Sequence, residues 1–333
     1  PSPKAISSLV EDDTTFLYLY RDLCLRHMFA RLQPTMPTLQ QRLADSADPR
    51  TRRQAMQALT EFLRDDLDDL AMKKLWRSIF FAMWLADLPK VHDELARSVA
   101  KTVHRFGEND AVRRWTLCFC STLAAEWARL DKYRLDKYYL LARHFVRESL
   151  AWCRAKDWAP ASVDAFAAAI DAGWFAAPKC PDGPRLHYGD VLLEALVEFE
   201  VPPSAAHRFC RPLLNALVHG SAPVATRVLD RLAAPLADVE AMRPLARLVQ
   251  ADVHGAAAAE ATPSSRRAAL YAAVKKLSAA TGDRSAPVVA PAAPPAQPKK
   301  PTKRRELLKK KARKAALRKK RYAGYQKKKW HPT

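Results

Sequence analysis

Three observations predict an all-α protein. Only 8 of the 333 residues are Gly. Ala, Leu and Arg, which lose little on entering a helix, are abundant. Apolar residues recur at helical spacing, while the period-two alternation of strands is sparse. With 49% of residues hydrophobic, the chain has material for a sizeable core. Successive helices with short breaks and no strict internal repeat predict an irregular HEAT-like α-solenoid carrying a basic C-terminal extension.

The elements follow in order. Asp48-Pro49 pairs an N-cap with Pro at the first helical position and opens a helix to about Leu70. Leu75–Ala86, LWRSIFFAMWLA, is apolar on nearly every side and is expected to be buried all round. Trp76, Phe80, Phe81 and Trp84 within it read as core. Leu88-Pro89 starts the next helix, with Val91, Leu95, Val99 and Val103 at i+4 steps, covering one face of the buried one. Further helices are expected over about 111–130, 135–153 and 161–172. A Pro/Gly-rich break spans 177–184, and helices follow at about 186–200, 204–219, 222–233, 238–253 and 264–280. Ser204, Ser221 and Thr262 are candidate N-caps.

Residues 1–284 thus form a helical body. Residues 285–298, SAPVVAPAAPPAQP, form a Pro/Ala-rich linker without a core of its own. Residues 299–333 form a tail with 17 Lys or Arg against a single acid, Glu306. The tail carries +16 of the chain's +21; residues 1–298 carry only +5. A concentrated positive appendage on a nearly balanced body is the footprint of polyanion binding, with RNA the leading candidate. The expected contacts are Lys299, Lys300, Lys303, Arg304, Arg305, Lys309, Lys310, Lys311, Arg313, Lys314, Arg318, Lys319, Lys320, Arg321, Lys327, Lys328 and Lys329. Tyr322, Tyr325 and Trp330 lie among these cations and either stack on unpaired bases or pack on a protein neighbour. Like-charge repulsion is expected to keep the free tail disordered until a polyanion orders it. The plainer reading of such a run is a nuclear-import signal.

Catalytic signatures are missing. The sequence has no GxxxxGK[ST], GxGxxG, GxSxG or HExxH. The nine His are scattered; His27, His92, His104 and His144 read as surface or satisfied core groups rather than metal ligands. Six Cys without a CxxC pair read as reduced, mostly buried thiols of an intracellular protein. Asp65, Asp66, Asp68 and Asp69 read as a solvated face or a contact for a basic partner; a divalent-ion site is the lesser alternative. No apolar stretch approaches the roughly 18–20 residues that span a bilayer. No cofactor, metal, membrane or small-molecule substrate is expected.

Three segments resemble the ribosomal RNA-processing protein 1 family of nucleolar large-subunit assembly factors. Lys74–Glu94, KLWRSIFFAMWLADLPKVHDE, matches a family signature at Leu75, Trp76, Phe80, Met83, Trp84, Asp87 and Pro89. Glu126–Arg143, EWARLDKYRLDKYYLLAR, matches at Trp127, Asp131, Arg134, Leu135, Asp136, Lys137, Tyr139, Leu141 and Arg143. Pro181–Glu198 matches at Gly183, Arg185, Leu186, His187 and Asp190. Ser78, Ala86 and Pro184 depart from the pattern, where Gly, Ser and Leu are usual. The resemblance implies an all-helical, non-enzymatic factor of the nucleolus that scaffolds precursor rRNA of the large subunit with other assembly factors and ribosomal proteins. A nuclear protein–protein adaptor, its tail serving only import, is the alternative. Arg134, Asp136 and Lys137 are polar residues in an otherwise apolar helix, read as an internal salt-bridge network or a contact for a partner or RNA.

Overall fold

The computed structural model describes residues 39–45 and 48–282, which are helical throughout with no strand among them. The N-terminal segment, the linker and the whole tail lie outside the described residues, and with them every tail contact named above.

The chain runs through α1 (Leu39–Leu43), α2 (Pro49–Phe62), α3 (Asp69–Leu85), α4 (Pro89–Ala100) and α5 (Asn109–Glu126). It continues through α6 (Leu135–Arg154), α7 (Pro160–Ile170), α8 (Asp182–Glu198) and α9 (Pro203–His219). Last come α10 (Ala222–Val228), α11 (Arg243–Ala258) and α12 (Ser264–Thr281). A 3₁₀ turn extends α4 over Lys101–Arg105, and π turns follow α7 at Asp171–Phe175 and α10 at Leu229–Ala233.

Packing partners alternate along the sequence. α3 lies on α5, α5 on α7, α7 on α9 and α9 on α11, while α4 lies on α6, α6 on α8 and α8 on α10. The helices thus fall into two rows sharing one continuous core, and α12 packs on α11 at the end.

Local caps fix several starts. Asp48 accepts from the backbone N–H groups of Arg50 and Thr51, and Pro49 sits at the first helical position. Ser221 caps α10 through Val224 N–H. Ser204 and Thr262 do not cap: Pro202 and Pro263 occupy those positions, and Thr262 donates its hydroxyl to Ala256 O instead.

Four other expectations are corrected. The helix opening at Pro49 ends at Phe62, not near Leu70, because Asp68 caps a new helix by accepting from Ala71 N–H. α3 is not buried on every side: Phe81 and Trp84 are half-buried and Leu85 is 49% exposed. α4 packs chiefly on α6 rather than on α3. α8 begins at Asp182, with Gly183 and Pro184 inside its first turn, where Pro leaves no hydrogen bond unmade.

The acidic run 65–69 serves the fold. Asp65 accepts from Gly107 and Glu108 N–H, Asp66 pairs with Arg64, and Asp69 lies 3.3 Å from Arg114. Arg114 also donates to Leu67 O and Asp65 O, closing the loop between α2 and α3.

A candidate interface where three segments meet

The three signature segments are distant in sequence and adjacent in space. They lie at the C-terminal end of α3, the first turns of α6 and the first turns of α8.

The α3 end sets the first seam. The last carbonyls of a helix have no partner within it. Lys137, in the first turn of α6, donates Nζ to Trp84 O and to Ala86 O, both at 2.9 Å. Its charge also suits the negative end of the α3 dipole. Burial pushes the Lys137 ammonium below its usual range, and Asp87, 3.7 Å away, opposes that shift. Arg134 lies over the Trp84 indole, 4.5 Å from its centroid, and pairs with Asp131. Tyr138 donates its hydroxyl to Phe80 O and stacks on the Phe80 ring at 4.6 Å. Lys137 and Arg134 therefore hold α6 to α3, while Asp136 is exposed.

The second seam joins α6 to α8. The Tyr139 ring lies 5.5 Å from Trp127 and 4.4 Å from His187, which donates Nε2–H to Tyr139 O at 2.8 Å. Burial holds the His187 imidazole below its usual pKa. A Cβ at Gly183 would approach the Trp127 indole to 2.5 Å, so this position admits only glycine without a shift of the ring. Arg185 donates to Trp174 O and Ala177 O, anchoring α8 to the preceding π turn. Asp190 receives Arg227 through both oxygens at 2.7 and 2.6 Å.

Three large apolar side chains are exposed at the first seam, among exposed charged residues such as Asp87 and Lys132. Leu88 is 53% exposed and Tyr133 82% exposed, joining Leu85 at the rim of the α3 end. The sequence reading did not single out these three residues. For Leu85 the largely apolar run 75–86 was the available signal, because a twelve-residue greasy stretch has to surface somewhere if its helix also has an outer face. Beside the second seam, Asp136, Tyr139, Arg143, His187, Asp190 and Arg227 line a cleft of about 510 Å³.

Among the described residues no group of three or more His, Cys, Asp or Glu could hold a metal ion. Cys118, Cys120, Cys153, Cys180 and Cys210 are free and buried. Burial raises their thiols, Cys118 and Cys180 to about 11, which leaves little thiolate for nucleophilic attack. No described helix is long and apolar enough to cross a membrane. The described surface thus presents exposed apolar side chains and, beside them, a polar cleft.

A family model described as nucleolar protein Nop52 matches residues 35–285, well over half of the chain. The chain is 30% identical to mouse ribosomal RNA processing protein 1 homolog A over 126 residues, 38% of this chain and 26% of that protein. It is 28% identical to the human homolog A over 180 residues, 51% of this chain and 39% of that protein. It is 28% identical to the Drosophila melanogaster homolog over 146 residues, 43% of this chain and 21% of that protein. The chain therefore spans well under half the length of these relatives.

Proposed function

This chain belongs to the Nop52 family of nucleolar proteins, and we propose that it serves ribosomal RNA processing as a non-enzymatic assembly factor of the large-subunit precursor. Its body is a HEAT-like solenoid whose apolar rim docks on neighbouring factors or ribosomal proteins. Its tail neutralises precursor rRNA phosphates through the 17 cations between Lys299 and Lys329. Together they hold an rRNA segment in place while folding and spacer removal proceed. No cofactor or small-molecule substrate enters this mechanism.

The observation that carries the reading is the exposed rim of Leu85, Leu88 and Tyr133. Its residues belong to the first two family segments, and two charged groups of that seam, Lys137 and Arg134, are engaged in holding the helices together. Exposed large apolar side chains of this kind favour binding of a protein partner.

The test replaces the cellular copy with a Leu85→Glu, Leu88→Glu, Tyr133→Glu variant and follows labelled precursor rRNA. Large-subunit precursors should accumulate while the variant stays nucleolar and folded. Normal processing would remove the rim from the mechanism. A second variant exchanges the tail for a short unrelated import signal; full rescue by it would favour the adaptor reading.

A further inference from the structure

α4, α6 and α8 belong to one row, and two adjoining clefts cross it. The cleft at the second seam, described above, shares Leu140 and Arg143 with a neighbour of about 530 Å³ between α4 and α6. That neighbour is lined by Arg97, Lys101, His144, Arg147 and Phe199, with Glu148 as its one carboxylate. Arg143 and Arg147 stand one turn apart on α6, and Arg97 and Lys101 one turn apart across from them, so cations flank the groove on both sides.

The ion pairs sort these charges. Asp93 pairs with Arg97, Glu148 with His104, Glu198 with Arg147, and Asp190 with Arg227. The carboxylates around the groove are thereby matched, save Asp136. Lys101, Arg143 and Arg154 are exposed and have no acidic partner among the described residues. Two guanidinium groups lie over the half-buried Phe199 ring, Arg147 at 5.9 Å and Arg154 at 5.6 Å from its centroid. Guanidinium planes held over a ring offer a flat surface on which a base can stack.

We propose that this groove is a second RNA-binding surface, which takes an extended single strand with its phosphates on Lys101, Arg143 and Arg154. The proposal rests on the RNA-scaffold reading above and adds a site on the folded body to the tail. A cleft of a few hundred Å³ admits one strand rather than a duplex. Phosphate is favoured over a carboxylate-bearing peptide because the free cations adjoin a stacking platform, which an acidic peptide would leave unused.

Three contacts of this kind contribute about 2 to the slope of log K against log salt for a single strand. The experiment measures binding of the full chain to an unstructured oligouridine across a salt series. A Lys101→Gln, Arg143→Gln, Arg154→Gln variant should lose that portion of the slope and keep its melting temperature, since all three side chains are exposed. A Lys101→Arg, Arg143→Lys, Arg154→Lys variant should keep the slope. A Lys309→Gln, Lys310→Gln, Lys311→Gln variant of the tail should lower it separately and additively. An unchanged slope in the groove variant, with the tail variant still lowered, overturns the groove and leaves the tail reading intact. Unchanged RNA binding with lost binding to polyglutamate overturns it in favour of an acidic peptide. No RNA binding by the unaltered chain sinks both readings.

Discussion

Residues 48–203 and residues 204–282 are both helical, yet they are built from different materials. The first region holds 20 aromatic residues, and its 23 Lys and Arg balance 23 Asp and Glu. The second holds only Phe209 and Tyr271, with 10 basic against 5 acidic residues. In the first region large rings fill the core: Trp76 lies 4.7 Å from Trp115, 4.9 Å from Phe119 and 5.6 Å from Phe145. In the second, α9, α11 and α12 close over small and medium residues such as Ala246, Val249, Ala257 and Val274. Ring cores impose shape, because each large side chain has few arrangements that fill its space. Small-residue cores impose only closeness. All three family segments lie in the first region, where the sequence has the least freedom to vary without loss of packing.

The largest effect should come from the aromatic core. Trp76→Ala is expected to cost about 3–5 kcal/mol, whereas Leu245→Ala in α11 should cost about 2 kcal/mol, because small neighbours close a void more easily. Chemical denaturation of both variants checks the ranking. Equal losses would mean that the two regions are equally constrained despite their composition.

The seam between α3 and α6 comes next. Lys137→Met keeps the apolar stem and removes both donors to Trp84 O and Ala86 O. Leaving buried carbonyls without partners is expected to cost about 1–3 kcal/mol. The same variant removes a buried charge whose pKa burial depresses, which opposes the loss. A variant more stable than the parent would show that desolvation of Lys137 outweighs its hydrogen bonds. Exposure of the Trp84 indole, read by fluorescence quenching, reports whether the end of α3 frays.

Acid sensitivity sharpens the comparison further. Burial depresses the pKa of His144, with Arg97 and Arg147 adding to the shift and Asp93, 3.6 Å away, opposing it. Burial likewise depresses His187, with Arg143 adding and Asp190 opposing. A depressed histidine means that the unfolded chain binds the proton first, so stability falls as pH drops through the unfolded value, about 6.5. The melting temperature should decline between about pH 7 and pH 5 and then fall again as the depressed carboxylates Asp93 and Asp110 protonate. His144→Gln with His187→Gln should flatten the upper part of that profile. A slope unchanged in the double variant would assign it to other groups.

Much of this architecture was legible in the sequence because helices announce themselves by period and by punctuation. Asp48-Pro49, Leu88-Pro89 and Ser221 marked starts that the structure keeps. Two of the misplaced helix starts share one cause. Asp68 was read as part of an acidic cluster, although its side chain ends one helix run and starts another. Ser204 was read as a cap, although a preceding Pro had already set the helix start. In each case a short polar residue had two local uses and only the tertiary path selects one. The site divides the same way. Local sequence marked Arg134 and Lys137 as polar intrusions, but their partners, the Trp84 ring and the carbonyls of Trp84 and Ala86, lie some 50 residues away. No local pattern encodes such a pairing. The rim of Leu85, Leu88 and Tyr133 is equally non-local, since exposure depends on which neighbours arrive.

The smallest predicted effect has opposite signs in the two regions. Gly173 and Gly255 are both in helical backbone without positive φ. A Cβ on Gly173 would approach the Cys120 Cβ to 2.4 Å, a contact between groups fixed to two backbones, so relief requires the π turn and α5 to separate. Overpacking of this kind typically costs about 1–3 kcal/mol. A Cβ on Gly255 meets nothing within 4 Å. There the substitution acts mainly through backbone entropy, and Gly255→Ala should stabilise by about 0.5–1 kcal/mol. A melting temperature raised by Gly255→Ala and lowered by Gly173→Ala would show one chemical change read oppositely by a tight region and an open one. If Gly255→Ala also lowers it, the outer face of α11 is covered by something it needs, and that end of the second region is as constrained as the first.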